Sequence, residues 1–184
     1  MSQDFDKYQK LGAYHYKWYD DPNWAWYKEC VDRCVEFCKG RTLDVGCGDG
    51  FVANKIADNG HSVIGIDDNQ TSLSLARERA TTALFQDSDI NHHLDGVWEY
   101  MVCLNVIEHL KSPEGLIRIL DKNITKGAII ITDVPTGHVG RYHEHEYTKK
   151  ELLNTFKEFK PKYFRIDSTE HGKPISFHGV EITK

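Results

Sequence analysis

The sequence predicts an open, doubly wound α/β sheet of seven strands, and two observations carry this prediction. Short β-type runs alternate with helical patterns from Arg41 onward. The last two β-type runs follow each other after Pro161 with no helical pattern between them, which is typical of a hairpin. Alternating units form a mostly parallel sheet with helices on both faces, and the hairpin adds an antiparallel pair. The seven predicted strands are residues 42–45, 62–67, 83–86, 100–104, 128–134, 163–168 and 175–183.

Helical patterns lie between most of these runs. Ser112 followed by Pro113 predicts a helix with Ser112 as N-cap and proline at the first helical position. Thr148 and Glu151 have the spacing of a capping box at the start of the last helix. Three further helices are predicted from apolar faces, formed by Val52, Ala53, Ile56 and Ala57, by Leu73, Ala76 and Ala80, and by Leu116, Ile117 and Leu120.

Length and composition predict a single domain over residues 1–184, because the chain is 40% hydrophobic and 28% charged. We divide it into an N-terminal aromatic and helical cap, residues 1–40, and a core, residues 41–184. The net charge of −5 excludes a strongly basic surface, so nucleic acid is not an expected partner. No apolar run approaches the roughly 20 residues of a membrane span.

The five cysteines are an odd number without the spacing of a disulfide framework, which predicts a reduced, cytoplasmic chain. Cys30, Cys34 and Cys38 recur every four residues in a helical stretch that ends at Gly40. That spacing places the three thiols on one helix face. We therefore predict buried, hydrophobic cysteines rather than ligands.

A glycine-rich turn follows the first predicted strand, with Gly46, Gly48 and Gly50 in alternate positions. Such glycines allow positive φ angles and let a ligand approach the backbone. A dinucleotide fingerprint would need a small residue where Phe51 stands, and the Gly-Lys-Ser/Thr of a phosphate-binding loop is absent. Asp44, two residues before the first glycine, would repel a pyrophosphate and attract a cationic amino group.

A second acid, Asp67, ends the second predicted strand, 21 residues after Gly46. At this spacing an acid reaches a ribose diol in nucleotide-binding βαβ units. A site that contains both acids would therefore bind a ligand with a ribose and a positively charged arm without phosphate. S-adenosylmethionine is the common cofactor that meets both requirements.

Four motifs, in residues 43–50, 63–67, 85–88 and 98–110, resemble in order and spacing those of the class I S-adenosylmethionine-dependent methyltransferases. The closest resemblance is to the small type 11/12 branch, which includes ubiquinone-biosynthesis O-methyltransferases. It covers about residues 41–110, and more loosely the chain to Lys184. The resemblance implies a Rossmann-like core, S-adenosylmethionine as cofactor and S-adenosylhomocysteine as product.

The resemblance also implies which residues hold the cofactor. Asp44 and the glycine turn would hold the methionine end, and Asp67 would accept hydrogen bonds from the ribose. Asn105 stands where the family usually has glutamate, and Glu99 where it usually has aspartate. The cofactor-binding residues that we predict are Asp44, Gly46, Cys47, Gly48, Gly50, Asp67, Asp68, Asp87, Ser88, Cys103, Leu104 and Asn105.

Methyl transfer from a sulfonium is an in-line displacement, which needs a base only when the acceptor must lose a proton. We predict three candidate bases. His109 follows the fourth strand, where Glu108 and His109 are expected to begin a helix, and His143 and His145 lie in the loop after the fifth strand. His138, in the same loop, is predicted to contact the acceptor. Both loops follow carboxyl ends of strands, where ligands bind in open sheets.

The aromatic residues before the core could be ordinary packing or a lid over cofactor and acceptor, and we favour a lid. The predicted lid residues are Tyr14, Tyr16, Trp18 and Tyr19. We expect a small-molecule acceptor, because about a dozen residues between the fifth strand and the next helix leave little room for a docking insertion. The pattern specifies neither the acceptor atom nor the oligomeric state.

Two alternatives remain beside this prediction. Glu108 and His109, with His143 or His145, resemble the metal-binding set of small-RNA 3′-terminal 2′-O-methyltransferases. That family has a further glutamate where this chain has Asn105, and our main prediction includes no metal. The second alternative is a non-catalytic module that binds S-adenosylmethionine but has lost its acceptor site.

Overall fold

The computed structural model describes residues 6–136 and 142–184. Its helices are α1 (Lys7–Leu11), α2 (His15–Asp20), α3 (Ala25–Phe37), α4 (Phe51–Asp58), α5 (Gln70–Glu78), α6 (Glu114–Asn123) and α7 (Lys149–Thr155). Its strands are β1 (Thr42–Val45), β2 (Val63–Asp67), β3 (Leu84–Asp87), β4 (Trp98–Leu104), β5 (Ile124–Asp133), β6 (Lys162–Glu170) and β7 (Lys173–Thr183). Short 3₁₀ turns form at Pro22–Trp24, Ile107–His109 and Lys157–Phe159.

The seven strands form one sheet in the order β3-β2-β1-β4-β5-β7-β6. Strands β1 to β5 pair in parallel, and β7 runs antiparallel to both β5 and β6. The predicted fold class, a mostly parallel sheet with a C-terminal hairpin, is confirmed. The strand order reverses between β1 and β4. In an open α/β sheet a ligand binds at such a switch point, outside the carboxyl ends of the strands.

The predicted strand centres are correct, and the largest boundary error is at β5. This strand begins at Ile124, directly after α6, instead of at Ala128. Residues 125–127 are Thr, Lys and Gly, which do not have the pattern of a central strand, yet Ile124 and Gly127 pair with β4 across a register shift. Sheet pairing here overrides the local pattern.

Apolar clusters pack on both faces of the sheet. One contains α6 and α7, and the other contains α3 and α4. Cys30, Cys34 and Cys38 are fully buried in the second cluster and unpaired, as predicted. Burial raises the pKa of each of these thiols, so they remain protonated packing groups.

Helix ends show one confirmed prediction and three corrections. The capping box of Thr148 and Glu151 forms at α7. Helix α6 has Pro113 rather than Ser112 as its N-cap, although the Ser112 hydroxyl still accepts from the first helical N–H at 3.3 Å. The predicted N-terminal helix stops at Phe37 rather than Gly40, because Cys38 is extended.

The third correction concerns Glu108 and His109, which form a 3₁₀ turn instead of beginning a helix. The next residue, Leu110, has extended dihedral angles, and Pro113 disfavours a helical conformation for the residue before it. Helix α6 therefore starts only at Glu114. Among the described helices, none combines the length and apolar character of a membrane span.

Candidate active site

A cavity of about 500 Å³ lies at the carboxyl ends of β1, β2, β4 and β5. This volume is within the usual range for small-molecule sites. Asp44 and Asp67 line it from β1 and β2, Asn105 follows β4, and Asp133 ends β5. The cavity therefore lies at the switch point of the sheet, where the fold predicts ligand binding.

The glycine turn forms one wall of this cavity. Gly46 has a φ of +70°, and a Cβ there would lie 2.5 Å from a methyl carbon of Val106, so a side chain cannot be accommodated. The backbone N–H of Gly48 donates to a carboxylate oxygen of Asp67 at 2.9 Å. The turn after β1 is thereby fixed to the end of β2, with its backbone facing the cavity.

Asp44 is buried, and its Oδ2 atom has no hydrogen-bonding partner within residues 6–136 and 142–184. Burial, followed by the negative charge of Asp67, raises the pKa of Asp44 to about 7. Burial also raises the pKa of Asp67 to about 6, although the N–H groups of Asn69 and Gly48 oppose this shift. Two neighbouring buried acids of this kind provide a site for a cationic donor.

Three more buried polar atoms of the cavity lining have no hydrogen-bonding partner in the described part of the chain. They are Nε1 of Trp26, Oδ1 of Asn105 and Nδ1 of His143. Asn105 also has a φ of +52°, in the left-handed region that few non-glycine residues adopt. Because buried polar atoms are nearly always satisfied, these atoms are available to a ligand that both donates and accepts hydrogen bonds.

Glu108 and Asp133 form an acidic pair on the β5 side of the cavity. Glu108 is buried and accepts a hydrogen bond from the Thr132 hydroxyl at 2.9 Å. Burial, and then the charge of Asp133, raises the pKa of Glu108, and burial likewise raises the pKa of Asp133. Such a pair tends to hold a proton at neutral pH.

His109 and His143 lie beside this acidic pair. Nδ1 of His109 is 2.8 Å from the carbonyl oxygen of Tyr142, and it must carry the proton because a carbonyl can only accept. Burial lowers the pKa of His109 to about 4, so the ring is neutral at physiological pH. Nε2 of His143 lies 3.6 Å from an Asp133 oxygen.

One ligand-type atom from each of Glu108, His109 and His143 lies within 4.8 Å of the others. This donor set suits a divalent cation. The structure thus brings together Glu108, His109 and His143, which is one of the two residue sets that the metal-dependent alternative predicts. His145 is separate: its ring is 3.6 Å from Glu151 and does not line the cavity.

Seven of the predicted cofactor-binding residues line the cavity, namely Asp44, Gly46, Cys47, Gly48, Asp67, Leu104 and Asn105. The other five lie elsewhere. Gly50 is the N-cap of α4, Cys103 is buried in the core, and Asp68 is exposed. Asp87 is exposed and accepts from Gln70 at 2.6 Å, and the Ser88 N–H donates to the Asp67 carbonyl at 3.0 Å.

The predicted lid residues divide into two pairs. Tyr14 and Trp18 line the cavity, whereas Tyr16 and Tyr19 pack against Phe51 on the outside. A helical period of 3.6 residues places i and i+4 on one face and so separates these pairs. His138 lies outside the described residues.

The segment containing α1 and α2 is fixed to the glycine turn. Asp49 is fully buried and accepts from the backbone N–H of His15 at 3.1 Å and from its ring at 3.0 Å. The Tyr8 hydroxyl lies against Gly48, where a Cβ would be 2.1 Å away. These contacts hold the segment over the cavity.

Several lining residues were not predicted. Asp133 ends β5 as Asp67 ends β2, and an acid at the end of a strand is the sequence signal that marks it. Glu108 was considered only as a metal ligand. The other unpredicted residues lie far apart in sequence and meet only in the fold: Lys7, Tyr8, Leu11, His15, Trp24, Trp26, Tyr27, Val52, Val106, Glu170, Ile175 and Phe177.

A family model described as a methyltransferase domain matches residues 22–176. The ubiquinone biosynthesis O-methyltransferase of Pectobacterium atrosepticum is 29% identical over 94 residues, 47% of this chain and 39% of that protein. Its counterpart in Chromobacterium violaceum is 27% identical over 130 residues, 62% of this chain and 55% of that protein. The chain therefore aligns with about half the length of these relatives or less.

Solved structures with a similar fold have lower sequence identity. Magnesium protoporphyrin IX methyltransferase from Synechocystis PCC 6803, solved with bound SAH, has a TM-score of 0.74 at 15% identity and covers 97% of both chains. TehB from Haemophilus influenzae has a TM-score of 0.67 at 15% identity, covering 85% of this chain and 62% of that one. These similarities confirm the Rossmann-like fold.

Replacing Asp44 with asparagine should make stability less dependent on pH in the ligand-free protein. The pKa of Asp44 is raised to about 7 on folding, so the wild type loses stability as pH rises from about 4 to 7. Asn cannot ionise. The stability of D44N relative to wild type should therefore rise by about 3 kcal/mol between pH 5 and pH 8.

Urea unfolding at both pH values measures this difference. Asp95→Asn is the matched control, because that side chain is 97% exposed. Parallel pH profiles for D44N and the wild type would contradict the assignment of a buried carboxylate with a raised pKa at position 44.

Proposed function

Since this chain belongs to the methyltransferase domain family, we propose that it transfers a methyl group from S-adenosylmethionine to a small-molecule acceptor by in-line displacement. The observation that carries the proposal is the pair of buried carboxylates, Asp44 and Asp67, beside the glycine turn. S-adenosylhomocysteine is the second product. The aligned relatives are longer proteins, so the proposal concerns the reaction type rather than their substrates.

The donor atoms present fit this cofactor. The unpartnered Oδ2 of Asp44 suits the α-ammonium group of the methionine arm. The carboxylate of Asp67 ends β2, where it suits the ribose hydroxyls. The wall made by Gly46 and Gly48 allows close approach to the backbone. The Synechocystis enzyme of similar fold has been solved with SAH and with SAM, which supports this choice.

When bound, S-adenosylmethionine supplies an electrophilic methyl carbon on a positively charged sulfur. The chain's residues then have three tasks: to orient the acceptor, to exclude water and to take a proton where the acceptor must lose one. Tyr14 and Trp18 cover the cavity and exclude water. His109 is neutral with its proton held on Nδ1, so Nε2 is the basic nitrogen, and His143 is the second candidate base.

Two features support a small acceptor, and a third supports a reducing compartment. The cavity volume of about 500 Å³ must hold the cofactor as well, which leaves limited room. Residues 134–148 alone connect β5 to α7, so this edge carries no large insertion. All five cysteines are buried and unpaired, which supports a cytoplasmic location.

Asp67→Asn should weaken S-adenosylhomocysteine binding by about tenfold to a hundredfold, because hydrogen bonds to a charged acceptor are worth about 1.5–3 kcal/mol. Isothermal titration calorimetry measures the change. Asp95→Asn, at an exposed position, should bind like the wild type. Equal affinity of the wild type and D67N would remove the main support for the proposed cofactor.

Deleting residues 1–21 should abolish methyl transfer and weaken cofactor binding while the sheet still folds. The deletion removes α1 and α2, with Tyr8, Tyr14 and Trp18, but keeps Trp26, which packs in the core. Circular dichroism and cooperative thermal unfolding check the fold. Tyr19→Phe is the control, because it removes only a hydrogen bond to Asp32 outside the cavity. Full activity of the truncated protein would refute the lid.

A second candidate function is supported by the cluster of Glu108, His109 and His143. A divalent cation there would make this a metal-dependent methyltransferase that acts on a hydroxyl group, such as the 2′-hydroxyl of an RNA terminus. His109 already donates its other ring nitrogen to a carbonyl, as metal-binding histidines commonly do.

The two candidates respond differently to chelation. We expect transfer to persist in EDTA, because the first proposal uses no metal. Initial rates with and without EDTA, and after addition of Mn²⁺, measure this. Activity that disappears with EDTA and returns with Mn²⁺ would favour the second candidate, and an RNA oligonucleotide with a free 2′-hydroxyl at its 3′ terminus would then be tested as the acceptor.

A further inference from the structure

We propose that the methyl acceptor is a small organic amine, which enters as an ammonium ion and binds among Glu108, Asp133 and Glu170. This inference rests on the proposed function and adds the substrate class. It concerns one part of the cavity, which we call the β5–β7 side. This side lies opposite Asp67 along the sheet and is lined by residues of β5, β6 and β7, with Glu108 beside them.

The β5–β7 side is acidic. It contains three carboxylates, from Glu108, Asp133 and Glu170. Across the described lining of the whole cavity, the only lysine or arginine is Lys7. An acceptor with a carboxylate would be repelled there, whereas an ammonium ion would be attracted.

Lys7 indicates that a primary ammonium fits among these acids. It enters the cavity from α1, and its charge interacts with Asp133, Glu108 and Glu170. Its Nζ atom lies 5.6 Å from the ring centre of Tyr142. Lys7 belongs to α1, which is part of the proposed lid. When the lid opens, the Lys7 ammonium leaves the cavity, and an incoming amine can make the contacts that this ammonium made.

Indole rings line the cavity together with these acids. Trp18 and Trp24 stack at 4.0 Å, and Trp26 stacks on Phe177 at 4.3 Å. Aromatic faces attract organic cations and pack against apolar groups. The unpartnered Nε1 of Trp26, a residue only 6% exposed, adds a donor for an oxygen of the acceptor. An amine with an apolar or aromatic body matches this lining.

An amine must lose a proton before it can accept the methyl group. The bound ammonium gives one proton to solvent, and the neutral nitrogen then carries the lone pair that forms the N–CH₃ bond. The S–CH₃ bond breaks as its electron pair stays on sulfur, so the positive charge moves from sulfur to nitrogen. The products are the N-methylated ammonium form of the acceptor, S-adenosylhomocysteine and the proton released to solvent.

A divalent metal could bind Glu108 together with His109 and His143, but the indole rings beside the acids favour an organic cation. Trp18, Trp24 and Trp26 offer no metal-ligating atoms, whereas their rings suit an ammonium with an apolar body. Asp133 already interacts with the Lys7 ammonium.

The test uses three probes of matched shape and different charge: 2-phenylethylamine, 2-phenylethanol and 3-phenylpropanoate. Their binding to the protein comprising residues 1–184, in EDTA, is followed by tryptophan fluorescence and calorimetry, with and without saturating S-adenosylhomocysteine. We expect the amine to bind about tenfold more tightly than the alcohol, and the carboxylate most weakly. Mass spectrometry with S-adenosylmethionine should detect the N-methylated amine.

Two variants assign the preference to its residues. Glu170→Gln should reduce amine affinity several-fold and leave alcohol affinity unchanged, whereas Glu158→Gln, an exposed control, should change neither. Lys7→Gln should raise amine affinity, because it removes the competing cation.

Alcohol or carboxylate binding as tight as amine binding would overturn the proposal, as would displacement of the amine by Mn²⁺ when EDTA is omitted. If S-adenosylhomocysteine does not bind, the proposed function fails. The relative affinities of the three probes, measured without S-adenosylhomocysteine, then still show whether the β5–β7 side prefers an ammonium ion.

Discussion

The organisation of this site depends on the burial of two carboxylates at one edge of a parallel sheet. Because β1 and β2 run in parallel, Asp44 and Asp67 both lie near the carboxyl edge, beside the glycine turn. Burial raises the pKa of both acids, which makes the ligand-free arrangement unfavourable at neutral pH. A ligand with a cationic arm and ribose hydroxyls stabilises the two buried carboxylates, and the glycine turn lets this ligand approach the backbone.

The N-terminal segment completes the cavity on the side that the sheet leaves open. It is anchored at the glycine turn through His15 and Asp49, and at the loop after β5 through Asp6 and the Tyr142 hydroxyl at 2.7 Å. Tyr142 also holds His109 through its carbonyl oxygen. Opening of the segment would therefore disturb the residue that orients His109, which links access to the cavity with the geometry of the proposed chemistry.

The sequence predicted the fold and the Asp44–Asp67 half of the cavity better than the β5–β7 half. Asp44, the glycines and Asp67 are close to strand ends and are ordered by local turn geometry, which a sequence pattern records. Trp26, Glu170 and Phe177 come from distant segments and meet through packing, so no spacing in the chain marks them.

Loop residues show the same limitation. His143 and His145 are equivalent in the sequence pattern, yet only His143 lines the cavity. The backbone N–H groups of Glu144 and His145 both donate to the carbonyl of Glu108 and so fix the path of the loop.

The most direct test concerns the cationic group that Asp44 is proposed to bind. Calorimetry with S-adenosylhomocysteine at pH 6.5, in buffers of different ionisation enthalpy, measures the protons released on binding. The account predicts release of about one proton, largely from Asp44. A binding enthalpy that does not depend on the buffer would contradict it.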